Sequence, residues 1–94
     1  MNFLLNCGIT KETLDIIKNN NTEQTKLDAE WNMERVVSSL QYLNEIGISQ
    51  INSILINRFD IVLRGRKNLE DRINDDIVNK INSDFSNICY LDEY

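Results

Sequence analysis

The stretch NMERVVSSLQYLNEIG, residues 32–47, decides the fold class of this chain. Its apolar residues recur at spacings of three and four, which places them on one face of a helix with 3.6 residues per turn. Asn32 is expected to cap the start of this helix, and Gly47 is expected to end it in the left-handed conformation. The stretch therefore predicts an amphipathic α-helix from Asn32 to Ile46, and its apolar face consists of Met33, Val36, Val37, Leu40, Leu43 and Ile46.

The sequence before this helix leaves its starting point open. Leu27 and Trp31 continue the same apolar face toward the amino terminus, so the helix begins either at Asn32 or as early as Thr22, after a break marked by the polar triplet Asn19-Asn20-Asn21. Earlier still, a helix is predicted to open at Thr10. With Thr10 as the N-cap, Ile9 and Leu14 occupy the hydrophobic-staple positions.

Three further helices are predicted after residue 47. One follows Ser49, one opens at Asn68, and a short one follows Ser83. Asp71 stands three residues after Asn68, in a capping-box-like arrangement. The apolar residues of that helix follow at four-residue steps, and they are Leu69, Ile73, Ile77 and Ile81.

The distribution of glycine and proline also favours helices. The chain has no proline, and its three glycines at positions 8, 47 and 65 fall between the periodic stretches, where helices stop. The strand-like stretch Ile61-Val62-Leu63 is too short and too isolated to require a sheet. Ninety-four residues are enough for one core. We therefore expect residues 1–94 to form a single all-α domain, either a compact bundle or a short solenoid of five to six short helices.

Composition argues against several functional classes. The chain has no histidine, the commonest general base and transition-metal ligand, and it lacks a phosphate-binding glycine-rich loop. We therefore expect no enzymatic activity, no cofactor and no metal. No apolar run reaches the length of a membrane span, and the first residues do not form a signal peptide. Two buried free thiols, Cys7 and Cys89, are favoured over a disulfide, which indicates the cytoplasm.

Two segments of the chain begin alike. In both, an apolar helix end is followed by Gly, Ile and a hydroxyl residue that would cap a new helix. The segments are Leu4-Leu5-Asn6-Cys7-Gly8-Ile9-Thr10 and Leu43-Asn44-Glu45-Ile46-Gly47-Ile48-Ser49. A spacing of this size is typical of helical repeats, although any helix–turn–helix corner can be written with the same residues.

The second segment resembles one repeat of the mitochondrial transcription termination factor (mTERF) family. The resemblance covers roughly residues 36–73 and rests on LQYLNEIGIS (40–49), the Arg58-Phe59-Asp60 corner and the helix that follows it. It suggests a fuller repeat at about 32–82 and a partial one at about 3–20. The chain departs from the family pattern at Asp60, where the family has a proline that ends a helix by steric exclusion, and its corner is about one residue short. The resemblance implies stacked helices whose concave face binds nucleic acid.

The basic residues give that implication independent support. Five cations, against three acids, lie between positions 58 and 72, although the whole chain has a net charge of −5 and residues 73–94 are acidic. The alternative is that these cations pair with neighbouring acids and keep the corner soluble. The candidate nucleic-acid-binding residues are Arg58, Arg64, Arg66, Lys67 and Arg72.

The second functional hypothesis is a protein-interaction module. Several apolar residues fall off the main stripes, and if exposed together they would suit a protein partner or a second copy of the chain. If the bundle buries them from two sides, they carry no function. These residues are Ile16, Ile48, Ile56 and Val78. The overall acidity favours this hypothesis, and nucleic-acid binding is the alternative.

Overall fold

The computed structural model describes residues 1–92; Glu93 and Tyr94, which end the acidic carboxyl-terminal segment, lie outside the described residues. The described chain forms six α-helices: α1 (Lys11–Asn20), α2 (Glu23–Trp31), α3 (Met33–Glu45), α4 (Ile51–Asn57), α5 (Arg66–Arg72) and α6 (Asp75–Ser83). Three 3₁₀ segments complete it, at Asn2–Cys7, Phe59–Ile61 and Phe85–Asp92. Residues 1–92 contain no strand, so the all-α prediction is confirmed.

A single hydrophobic cluster joins these elements. α1 packs against α4, α3 packs against α5, and the last 3₁₀ segment packs against α6. The molecule measures 32 × 23 × 21 Å, which fits a compact bundle better than an extended solenoid. Each element contributes fully or nearly fully buried side chains to the cluster, among them Leu4, Ile17, Leu43, Leu55, Ile61, Leu69, Ile81 and Leu91.

The predicted cap of α1 is confirmed. The Thr10 side chain accepts a hydrogen bond from the backbone amide of Thr13 at 3.2 Å, and both staple residues, Ile9 and Leu14, are buried. Ser49 was expected to cap the helix that follows it, as Thr10 does, but it makes different hydrogen bonds. Its amide and hydroxyl both donate to the Asn82 side chain, at 2.8 and 3.0 Å, and α4 begins two residues later without a side-chain cap. The two segments therefore share a glycine corner but not a capping scheme.

The junction before α3 corrects the expected role of Asn32. Its amide nitrogen donates to the Asp28 carbonyl at 2.8 Å, so the side chain caps the end of α2 and makes no capping bond at the start of α3. The Asn32 backbone leaves the helical region, with φ −124° and ψ 34°. A separate helix α2 therefore precedes α3, and the Thr22 side chain caps it by accepting from the Thr25 amide.

The helix predicted to open at Asn68 is two helices. α5 begins earlier, at Arg66, and the chain turns extended at Ile73. Asn74 then caps α6 by accepting from the Ile77 amide at 2.9 Å. Gly65 also departs from the prediction. It precedes α5 instead of ending a helix, and its φ is +90°.

Candidate functional site

The predicted basic corner contains an ion-pair network. The guanidinium of Arg58 donates to Asp60 and to Asp92, and Arg64 donates to Asp92 at 2.9 Å and to the Leu91 carbonyl at 2.8 Å. The hydrogen bond to Asp60, followed by that to Asp92, raises the pKa of Arg58 above its ordinary value. The bond from Arg58, supported by Arg64, holds the pKa of Asp92 below its usual range. The two arginines thus tie the carboxyl-terminal 3₁₀ segment to the corner.

Arg66 lies in a second group of carboxylates. It donates to Glu45 at 2.7 Å and to Glu70 at 2.7 Å, and its guanidinium sits 5.4 Å from the centre of the Tyr42 ring. The hydrogen bond to Glu70, and then that to Glu45, raises the pKa of Arg66. Lys67, the next residue, is exposed at the start of α5.

Arg64 and Arg72 line a groove of about 300 Å³ together with Asn68, Leu91 and Asp92. The Asn68 side-chain oxygen is buried there and accepts no hydrogen bond within the described part of the chain. The structure therefore joins Arg58 and Arg64 through Asp92 and places Arg64 and Arg72 on one groove, whereas Arg66 lies among Glu45, Glu70 and Tyr42. Three of the five candidate cations, Arg58, Arg64 and Arg66, form salt bridges with carboxylates. Nucleic-acid binding by these residues stays a prediction.

A different surface lies at the junction of α2 and α3. Leu27, Trp31 and Met33 are the large apolar side chains there, and they are exposed by 52%, 84% and 43%. Leu27 and Trp31 are four residues apart and adjacent on the outer face of α2. Trp31 and Met33 line an open groove of about 390 Å³ with Glu30, Asn32, Glu34 and Arg35. We call Leu27, Trp31 and Met33, with this groove, the Trp31 surface.

Sequence reasoning assigned Leu27 and Trp31 to the buried face, and that assignment is wrong. The reason is the break at Asn32, which ends α2 and removes both residues from the stripe of α3. On α2 the buried residue is Ala29, roughly opposite Leu27 and Trp31 on the helix. One signal was present in the sequence. Between the cap at Thr22 and Asn32 the segment has one apolar face made of two large residues, too few to anchor a helix to a core.

The off-stripe residues are mostly buried. Ile48 and Val78 belong to the core, Ile56 packs against it, and Ile16 is exposed by 48% on α1. The expectation of two buried thiols is not met. Cys7 and Cys89 are free thiols, but Cys89 is exposed and Cys7 is partly buried, which raises the pKa of its thiol.

The described residues also bear on metal sites and membrane spans. Residues 1–92 contain no group of three or more potential metal-ligating side chains. No helix within the same range has the length and apolar character required to cross a membrane.

Comparison of the chain with protein-family models, with curated proteins and with solved structures finds no match. The similarity of residues 36–73 to an mTERF repeat therefore rests on the sequence pattern alone. Function has to be argued from the chain's own surfaces.

Proposed function

We propose that this chain is a small non-catalytic helical module, located in the cytoplasm, that binds another protein through the Trp31 surface. The observation that carries the proposal is the 84% exposure of Trp31, the chain's single tryptophan. Tryptophan is among the residues that most often dominate the binding energy of protein interfaces. An exposed tryptophan next to two other exposed apolar side chains fits a binding surface better than a solvated helix face does.

The size of the surface supports this function. Together the three side chains expose on the order of 400 Å² of apolar area, which lies in the range of the largest patch on a typical monomer. The remaining large, strongly exposed apolar side chains of the described chain, Leu5 and Ile16, lie on other elements. The apolar exposure of the molecule is therefore concentrated at the α2–α3 junction.

Selection of displayed random peptides against the full chain tests the proposal. Enriched peptides should bind the unmodified protein and should lose at least about tenfold in affinity to Trp31→Ala, because truncating an interface aromatic commonly costs more than ~1.4 kcal/mol. Ile16→Ala is the matched control, since it also removes an exposed apolar side chain but lies on α1. It should bind the same peptides normally.

Circular dichroism of both variants should show unchanged helix content, because neither side chain belongs to the buried core. Failure to enrich any peptide whose binding depends on Trp31 would refute the proposed function.

Nucleic-acid binding is the second candidate. The observation in its favour is that Lys67 is exposed at the start of α5. The salt bridges of Arg58, Arg64 and Arg66 count against it, since a cation held by a carboxylate has less charge to offer a phosphate. A salt titration of binding to generic DNA and RNA decides this candidate. If there is no binding at low ionic strength, or if the triple variant Arg64→Ala/Arg66→Ala/Lys67→Ala binds unchanged, the candidate fails.

A further inference from the structure

The surroundings of the Trp31 surface carry information about its partner. On the outer face of α2, Leu27 and Trp31 form a short apolar stripe with acidic residues on both sides. Glu23 continues the stripe one turn toward the amino terminus, Glu30 lies along one side, and Asp28 lies along the other, as their spacings of three and four from the stripe require. Glu34 extends this acidic border into the groove.

Positive charge near the stripe is limited. Residues 22–35 contain four carboxylates and two cations. Lys26 pairs with Glu23 at 3.1 Å, and the amino-terminal ammonium group pairs with Glu30. Asp28 accepts a hydrogen bond from the neutral Gln24 side chain, and so keeps its charge uncompensated by a cation there. Four carboxylates thus face three positive groups, namely Lys26, the amino-terminal ammonium group and the groove residue Arg35. The border therefore has a net charge of −1, and its acids that form no salt bridge within the described chain are Asp28 and Glu34.

From this arrangement we infer that the Trp31 surface binds a short basic amphipathic segment of another protein, in which apolar residues alternate with lysine or arginine. The inference rests on the proposed function and specifies its partner. The apolar side chains of the segment cover Leu27 and Met33, and its cations lie against Asp28 and Glu34. A lysine or arginine of the segment also gains from the exposed face of the Trp31 ring through a cation–π contact.

Charge, more than area, favours a segment over a second copy of this chain. A stable interface buries about 800 Å² on each partner, of which a little over half is apolar, so the apolar area exposed here would suit either occupant. A symmetric dimer through this surface would, however, bring the acidic borders of two copies together, and like charges across an interface oppose association. A short segment needs less area, and a basic one turns the same carboxylates into favourable contacts.

Three synthetic peptides with identical leucine positions test the inference against the full chain. Their remaining positions are all lysine, all glutamine or all glutamate. Binding is followed by the emission of Trp31, which shifts to shorter wavelength when the indole leaves water. The lysine peptide should bind at least about tenfold more tightly than the glutamine peptide, and the glutamate peptide should bind least. Raising sodium chloride from about 50 to 300 mM should weaken the lysine peptide and leave the glutamine peptide nearly unchanged.

Charge variants of the chain identify the acids that matter. Asp28→Asn/Glu34→Gln should weaken the lysine peptide by roughly fivefold and leave the glutamine peptide unaffected. Asp15→Asn/Asp71→Asn is the matched control. It changes the net charge equally at exposed positions of α1 and α5, and should alter binding by less than about twofold, because salt screens distant charges.

The possible failures are distinguishable. If Trp31-dependent peptides emerge from the display selection but are neutral or acidic, or if the three synthetic peptides bind equally, the basic partner is wrong and the interaction function stands. If light scattering shows a dimer that Trp31→Ala dissociates, the occupant is a second copy and the inference is overturned. If no peptide binds in either experiment, the proposed function itself fails.

Discussion

Replacing Gly65 by alanine is expected to be the most informative single change in the backbone. Gly65 has φ +90° and ψ 160°, a conformation that glycine alone adopts readily. A β-carbon at this position would also lie 3.0 Å from Cγ of Arg35 and 3.4 Å from its Cδ. The substitution thus combines torsional strain with a steric contact at the start of α5.

Gly8 provides the matched comparison. It also has positive φ, at +88°, but its ψ of 8° lies closer to the left-handed helical region, and a β-carbon there meets no heavy atom within 4 Å. Gly8→Ala should therefore cost about 1 kcal/mol of unfolding free energy. Gly65→Ala should cost about 2–3 kcal/mol, since the strain of a glycine-only region alone is worth about 1–3 kcal/mol.

Urea denaturation followed by circular dichroism measures both values. Fluorescence is a poor probe here, because Trp31 is already exposed in the folded state. In a thermal scan the difference corresponds to roughly 4–16 °C between the two variants, at about 4–8 °C per kcal/mol for a domain of this size. The double variant Gly65→Ala/Arg35→Ala should recover less than about 1 kcal/mol, because the flexible arginine stem can move aside and the torsional strain remains. If Gly65→Ala proves no more destabilising than Gly8→Ala, the backbone conformation assigned to residue 65 is wrong.

Three further predictions concern charge, packing and a buried hydroxyl. Asp92→Asn should lower the unfolding free energy at pH 7 by up to about 1 kcal/mol, because its ion pairs are solvent-exposed. The pKa of Asp92 is lowered in the folded state, so its contribution to stability is present above the unfolded pKa of about 4 and is lost as the pH falls. The urea midpoints of the variant and the unmodified protein should therefore converge at about pH 3. A difference that stays constant with pH would contradict the ion pairs assigned to Asp92. Leu55→Ala should cost about 2–5 kcal/mol in thermal melts, whereas Leu27→Ala should stay within about 0.5 kcal/mol, because the first side chain is fully buried and the second is half exposed. Ser39→Ala should cost about 1–2 kcal/mol, since the single hydrogen of its buried hydroxyl is donated to the carbonyls of Arg35 and Val62, which both lie 2.9 Å away. Ser38→Ala, whose hydroxyl bonds within its own helix near the surface, should cost less than about 0.5 kcal/mol, and equal losses would argue against the buried bond.

The helices that sequence reasoning located best are those with local signals. α3 has a dense apolar stripe and a glycine after its end, and α1 has a cap and a staple within five residues of each other. Periodicity was less informative from Asn68 onward. Leu69, Ile73 and Ile81 are buried and Ile77 is partly buried against the core, as their spacing indicates. A break that keeps successive residues facing the core leaves that spacing intact. Hydrophobic periodicity therefore reported burial more reliably than the continuity of a helix.

The ion pairs of Arg58 and Arg66 show a second limit of prediction from the sequence. The sequence identifies Arg58 and Arg66 as basic and lets them be weighed against nearby acids. The carboxylates that hold them include Asp92 and Glu45, which are 34 and 21 residues away along the chain. Pairing over such separations depends on how the helices pack, and nothing local in the sequence indicates it. The exposure of Trp31 was missed for a related reason, because large apolar residues are usually buried and the apolar spacing does not mark the break at Asn32, whose side chain bonds back to the Asp28 carbonyl.

Helix α2 contributes one buried residue, Ala29, whereas α3 contributes four. Local opening of a segment costs little when few contacts hold it, so the backbone amides of α2 should exchange with deuterium much faster than those of α3. The order of the helix that presents Trp31 thus depends less on the core than the order of α3 does. A ligand bound to the outer face of α2 adds apolar contacts that the core does not provide. Slower deuterium exchange of the α2 amides would then reveal binding even where no atom of the bundle moves.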